Sequence, residues 1–333
     1  MLFATVGGIA LAVFLVAQND AEAIFHVFAQ VGWGLVAVVL VRAAIVTVCG
    51  YAWALLHRDV WHLPATVWPL LRWVREGINV LLPVGTVGGE IVGARLLTFW
   101  GVAGGLAAAG VLVDLLVQAI GQTLFTLAGV VLVLRIPGAE VLAEVAIGGL
   151  ILAFAGLGGF FLVLRRNGAE WLHGLITKAV AKWSDSATAR ALDVAGPKLV
   201  DGLDAIWRRP RLVGASLGVH VAGWLMGTLE IWIAMTCMGH PVSWTDALIL
   251  ESIGQAIRGA AFPVPGGVGV QEGGFLVVGN ILGLDPQSSI ALSFVKRVPD
   301  VVLGLPALLA WHTIEHRQRA AGVGPADGAR KPG

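Results

Sequence analysis

Pro83-Val84-Gly85-Thr86-Val87-Gly88-Gly89-Glu90 and Pro265-Gly266-Gly267-Val268-Gly269-Val270-Gln271-Glu272 both read P-x-G-x-x-x-x-E, and both interrupt apolar sequence. Proline removes a backbone donor and glycine lowers helix propensity, so no helix runs smoothly through either string. One such string would mean little. Two with the same Pro-to-Glu spacing predict two re-entrant helical hairpins, at 67–100 and 245–283, turning at Pro83, Gly85, Pro265, Gly266, Gly267 and Gly269. Each has an arginine on its entering half, Arg75 and Arg258.

The surrounding composition sets the solvent. Of 333 residues 57% are hydrophobic and 13% charged, about half the roughly 25% charge of a soluble domain. The mean hydropathy is +0.83. A soluble globular enzyme and a disordered chain are excluded, and the long unbroken apolar blocks do not fit a transmembrane β-barrel. The fold class expected is an all-α polytopic membrane protein. About six stretches, 1–18, 26–54, 101–134, 140–164, 212–238 and 287–313, reach the roughly 20 residues that cross a hydrocarbon core. Ala21-Glu22-Ala23 fits a cleavage pattern, but no Lys or Arg precedes Arg42, so the first stretch is expected to be a retained helix. A net charge of +1 gives no field for nucleic acid, and Cys49 and Cys237 form no disulfide framework or metal cluster.

Basic residues orient the chain. The segment 165–211 carries nine Lys or Arg, among them Arg165, Arg166, Arg208, Arg209 and Arg211. Arg58 marks 57–66, and the tail 317–333, expected to be disordered, holds four more. The opposite loops, 19–25, 135–139, 239–244 and 284–286, contain Arg135 alone. This bias predicts cytoplasmic N- and C-termini. It also makes the first hairpin enter from the cytoplasmic side and the second from the outer side. The chain then divides into repeats of opposite orientation, 1–134 and 140–316, an architecture shared by many transporters.

Irregular backbone at membrane depth is tolerated only where it is buried in protein or lines a wet cavity. Half-helices starting near 86–90 and 268–272 would point positive ends and free N–H groups inward, with Glu90 and Glu272 in or near their first turns. The repeat singles out Glu90, Glu272, Arg75 and Arg258 as a substrate or ion pathway. Other intramembrane charges, Asp114, Glu251, Lys296, Arg297 and Asp300, read as buried ion pairs. Arg258 lies seven residues from Glu251 and Asp300 four from Lys296, so each pair fits one helix face. Arg42 and Glu230 are also intramembrane, Arg42 read as lying near an interface. Residues 165–211 read as two amphipathic helices at the cytoplasmic interface, interrupted at Gly196-Pro197. Gly214/Gly218 and Gly223/Gly227 suggest close helix contacts. Gly214-Ala215-Ser216-Leu217-Gly218 matches a nucleophile elbow beside His220, but a transmembrane helix lacks the strand-to-helix turn that the elbow needs. No catalytic residue, metal site or cofactor is expected.

The string from Gly254 through Arg258 and Pro265 to Gly274 resembles the signature of the lysylphosphatidylglycerol synthase transmembrane-region family. The Pro83–Glu90 string is similar to that family's first, more variable motif. The resemblance spans roughly 1–316 and extends in size to a single-part, hopanoid-associated branch. It implies the membrane flippase region without the soluble aminoacyl transferase, hence lipid translocation rather than lipid aminoacylation, in the bacterial inner membrane. Membrane lipids are the implied partners. A secondary transporter of a small anionic solute and a non-transporting partner of lipid-biosynthesis proteins remain alternatives, and homo-oligomers remain open.

Overall fold

The computed structural model describes residues 2–58, 61–82, 88–165, 167–171, 174, 186–261, 264 and 267–320. Among them there are helices and no strand. The turn residues Pro83, Gly85, Pro265 and Gly266, most of the first amphipathic segment and nearly all of the tail lie outside the described residues.

Four helices are long and apolar enough to cross a membrane: α3 (Gly34–His57), α6 (Gly104–Val133), α7 (Glu140–Leu164) and α9 (Pro210–Cys237). The protein is therefore an all-helical polytopic membrane protein. The expected count of six meets these four, or five if a bent pair is one span. That pair is α1 (Leu2–Gln18) and α2 (Ala21–Gln30), which meet at 94°. Asp20 turns the corner at φ 42° and accepts a hydrogen bond from Ala23 N at 3.1 Å. The stretch 26–54 is not one helix either: α2 stops before Gly32, whose φ of +49° reverses the chain into α3. The last expected span is α12 (Pro286–Ala320), 35 residues long and roughly 52 Å at 1.5 Å per residue. It carries Lys296, Arg297 and Asp300 and continues through Pro299 and Pro306.

Both interrupted regions are pairs of short helices packed on each other. α4 (Val67–Leu81) packs with α5 (Gly88–Phe99), and α10 (Trp244–Ala260) with α11 (Val270–Ile281). None exceeds 17 residues, about 26 Å, so none crosses a 30 Å core alone. Gly269, at φ +80°, caps α11 in a conformation that glycine adopts without strain.

The helices pack in a paired pattern. α3–α4, α4–α5, α5–α6, α3–α6, α3–α12 and α4–α12 are matched by α9–α10, α10–α11, α11–α12, α9–α12, α9–α6 and α10–α6. α3 and α9 meet in the middle and run antiparallel. A Cβ on Gly34, at the start of α3, would meet the Cys237 side chain at 2.6 Å; at the other end Arg209 donates to the Arg58 carbonyl at 3.4 Å. The apolar core forms two clusters: one around Trp53, Leu71, Leu96 and Leu116, the other around Ile231, Leu250, Phe275 and Ile290.

α8 (Ser186–Trp207) differs from the expected interruption, because it continues through Pro197. Val200, Leu203 and Ile206 are buried, α8 packs along α6, and Trp207 Nε1 donates to the Leu164 carbonyl at 2.9 Å. This packing holds the segment as a helix despite the missing donor at Pro197. α7 lies at the opposite extreme. Its apolar residues Val141, Ile151, Leu152 and Leu162 are exposed, as suits a helix in lipid.

Candidate functional site

Polar residues recur on one face of each of four helices. On α6 they are Asp114, Gln118 and Gln122, at i, i+4 and i+8; on α4, Arg72, Glu76 and Asn79; on α9, His220, Trp224 and Glu230; on α10, Glu251, Gln255 and Arg258. In transmembrane sequence such a face must turn inward, since lipid offers no partner. These faces, with Arg42 of α3 and Glu90 of α5, line one cavity of about 260 Å³, except that Asp114 stands fully buried behind His220. Its lining falls near the middle of the spanning helices: Arg42 and Cys49 within Gly34–His57, Leu115 to Gln122 within Gly104–Val133, His220 to Glu230 within Pro210–Cys237.

Two charge groups hold the walls. In the first, Asp114 Oδ2 accepts from Arg75 Nη1 at 2.8 Å and Arg72 Nη1 at 3.2 Å, and Oδ1 lies 3.0 Å from His220 Nε2. Arg75 reaches Glu90 with its other amine and lies over the Trp53 ring, 4.4 Å from its centroid. Asn79 donates to Glu90 Oε1 at 3.2 Å and accepts from Gly89 N at 2.8 Å, tying α4 to the first turn of α5. Arg72 also donates to Gln118 Oε1 at 2.9 Å.

In the second group Glu230, wholly buried, accepts from Arg42 Nε at 2.8 Å and Nη2 at 2.7 Å, and from Lys296 Nζ at 2.7 Å. Lys296 also reaches Glu251 at 2.8 Å. Arg258 donates to Asp300 Oδ2 at 3.1 Å, while Arg42 lies 3.6 Å from Oδ1 of the same carboxylate. Glu272 takes Arg297 Nε at 2.8 Å and bonds back to Gly269 N at 2.7 Å. Each carboxylate thus has a cation, which is what makes burial of so many charges tolerable.

The four residues singled out by the repeat fall in two positions. Glu90 and Arg258 line the cavity; Arg75 and Glu272 do not, and stand behind it, each about 1% exposed. Glu90 and Glu272 are both the third residue of their helices. The ion pairs expected along single helices form between helices instead. Arg258 reaches Asp300 rather than Glu251, and Lys296 reaches Glu230 and Glu251 rather than Asp300. Arg42 is no interfacial residue: its bidentate pairing places it in the interior. The i, i+4 rule favoured local partners, whereas the helix crossings bring stronger partners from across the bundle. Of the small-residue pairs, Gly227 abuts the Glu251 carboxylate, where a Cβ would lie 2.6 Å from Oε1, and Gly223 packs on Cys49; Gly214 and Gly218 have nothing within 4 Å. Arg72, His220, Gln118 and Gln122 were not selected from the sequence, although the polar faces of α4, α6 and α9 carried the signal.

This arrangement defines a class: a helical membrane protein with a charge-bearing cavity between its helices. Within that class the chain belongs to the family described as the lysylphosphatidylglycerol synthase TM region, whose model matches residues 1–307. No curated protein matches the chain, and no solved structure does.

Proposed function

We propose that the chain carries a polar-headed lipid, of phospholipid or hopanoid type, across the bacterial inner membrane, without covalent chemistry. The headgroup passes through the cavity while the tails stay in the bilayer. One observation carries this reading: a 260 Å³ cavity with charges of both signs, walled by α4, α5 and α10 at mid-length of the spans. Such a lining replaces water for a headgroup that hydrocarbon would reject. Arg72 and Arg258 suit a phosphate by charge-assisted hydrogen bonds, and Glu76 and Glu90 suit an amine or hydroxyls. Family membership supports a lipid as the cargo.

The mode of movement is alternating exposure by two inverted repeats. The paired packings and the antiparallel α3 and α9 support it. α4 follows the Arg58 end of that pair and α10 the Cys237 end, so the short-helix pairs start from opposite ends. The charge bias puts Arg58 and Arg209 in the cytoplasm, with both termini.

The test is reconstitution of the purified chain in liposomes containing fluorescent phosphatidylethanolamine or phosphatidylglycerol, with chemical quenching of the outer leaflet. The wild type is expected to speed leaflet exchange at least tenfold over empty liposomes. Glu90→Gln and Arg258→Gln are each expected to remove most of that gain. Exchange equal to empty liposomes, with transport of a small anionic solute, would favour a solute carrier instead.

A further inference from the structure

The two charge groups differ in balance. In the second, Arg42, Arg258, Lys296 and Arg297 face Glu230, Glu251, Glu272 and Asp300, and the signs cancel. In the first, Arg72 and Arg75 face Glu76, Glu90 and Asp114, so the described residues leave one carboxylate in excess. His220 is the titratable group built into that deficit. Its Nε2 holds Asp114 Oδ1 at 3.0 Å, its ring is 1% exposed, and its Nδ1 has no nitrogen or oxygen partner, the Cys49 thiol being the other side chain beside the ring. His220 also lines the cavity, one turn from Trp224.

We propose that His220 and Asp114 form a proton-binding site of the cavity, and that this proton is exchanged for a cationic group of the bound ligand. With Nε2–H directed at Asp114, the proton adds at Nδ1 and balances the first group. The ammonium of an ethanolamine headgroup supplies the same charge to the first group while its phosphate is taken by Arg258 in the second, so the proton leaves Nδ1 for water. The charges around the ring are compatible with this. α6 gives Asp114, and α4 gives Glu76 with Arg72 and Arg75, both of which bond Asp114 Oδ2 while Arg72 also faces the cavity. α3 gives Cys49, the fully buried His57, which faces Asp114 and Arg75, and Arg42, held by Glu230. α5 gives Glu90, bound by Arg75; α10 gives Glu251 and Arg258, and α12 gives Lys296, all paired within the second group. Among the described residues of α8, none lines the cavity. The proposal takes from the lipid reading only the identity of the ligand.

The experiment is nitrogen NMR of the full chain labelled with ¹⁵N-histidine, in phosphatidylglycerol nanodiscs. The His220 signals are assigned by their loss in His220→Gln. At pH 7 both ring nitrogens are expected to show the protonated signature. Asp114→Asn should convert them to the neutral pattern, and dihexanoyl phosphatidylethanolamine should do the same in the wild type, whereas dihexanoyl phosphatidylglycerol should not. A neutral ring at pH 7 in the wild type, an observation that needs no variant to fold, would overturn the site. A protonated ring unmoved by the amine lipid would overturn the exchange. A protonated ring displaced by the amine lipid, in a chain that moves no lipid between leaflets, would uphold the site and reject the transport reading instead.

Discussion

Lys296 is a residue whose loss is costly. Its ammonium is 1% exposed and neutralises Glu230 and Glu251, both almost wholly buried. Lys296→Met is expected to destabilise the fold by about 3–5 kcal/mol, the range for stranding a buried charge. Arg208→Ala removes only an exposed i, i+4 pair with Asp204 and is expected to cost at most ~0.5 kcal/mol. Thermal unfolding in detergent compares the two. Gly227 gives a second residue-scale expectation. A Cβ there meets the Glu251 carboxylate, so Gly227→Val should destabilise by about 1–3 kcal/mol, and the same assay reads it. At this scale the sequence was half legible. Burial of Asp114, Glu251 and Lys296 followed from their apolar surroundings, but their partners depend on crossings between helices far apart in the chain, Lys296 with Glu230 being 66 residues distant. Local spacing carries no information about such pairs.

The elements divide by what they face. α7 packs on α6 and turns Leu152, 75% exposed, outward; α6 has Leu116 wholly buried between its neighbours. Leu116→Ala should therefore cost about 2–5 kcal/mol, while Leu152→Ala leaves no cavity and should change stability by less than ~0.5 kcal/mol. Melting of the two variants in the same detergent distinguishes them. The short-helix pairs were legible because Pro and Gly clusters act locally on the backbone. The break at Gly32 was not, since a lone glycine between apolar residues does not differ in sequence from one inside a membrane helix. Pro197 misled in the other direction: the burial of Val200, Leu203 and Ile206 against the bundle outweighs one lost backbone bond. The cavity-lining Gln118 and Gln122, with Asp114 one turn before them, lie in plain view at helical spacing. The repeat does not mark them, because it falls on the short-helix turns and not on the spanning helices.

The whole molecule is two short-helix pairs about one polar cavity, with α3 and α9 crossing antiparallel between them. Orientation is testable with single cysteines in a background lacking Cys49 and Cys237. A cysteine at His62 and one at Asp204 should react with an impermeant maleimide from the cytoplasmic side, and one at Pro241 from the outer side. Reaction of all three from one side would remove the inverted arrangement.

The most direct test of lipid passage through the cavity is photo-crosslinking. The chain is reconstituted with a phospholipid carrying a photoactivatable headgroup, irradiated, and its adducts are mapped by mass spectrometry. Adducts are expected on cavity residues such as Gln122, Trp224 and Gln255, and competition by unlabelled lipid should remove them. Adducts confined to the outward face of α7, with none in the cavity, would contradict the account.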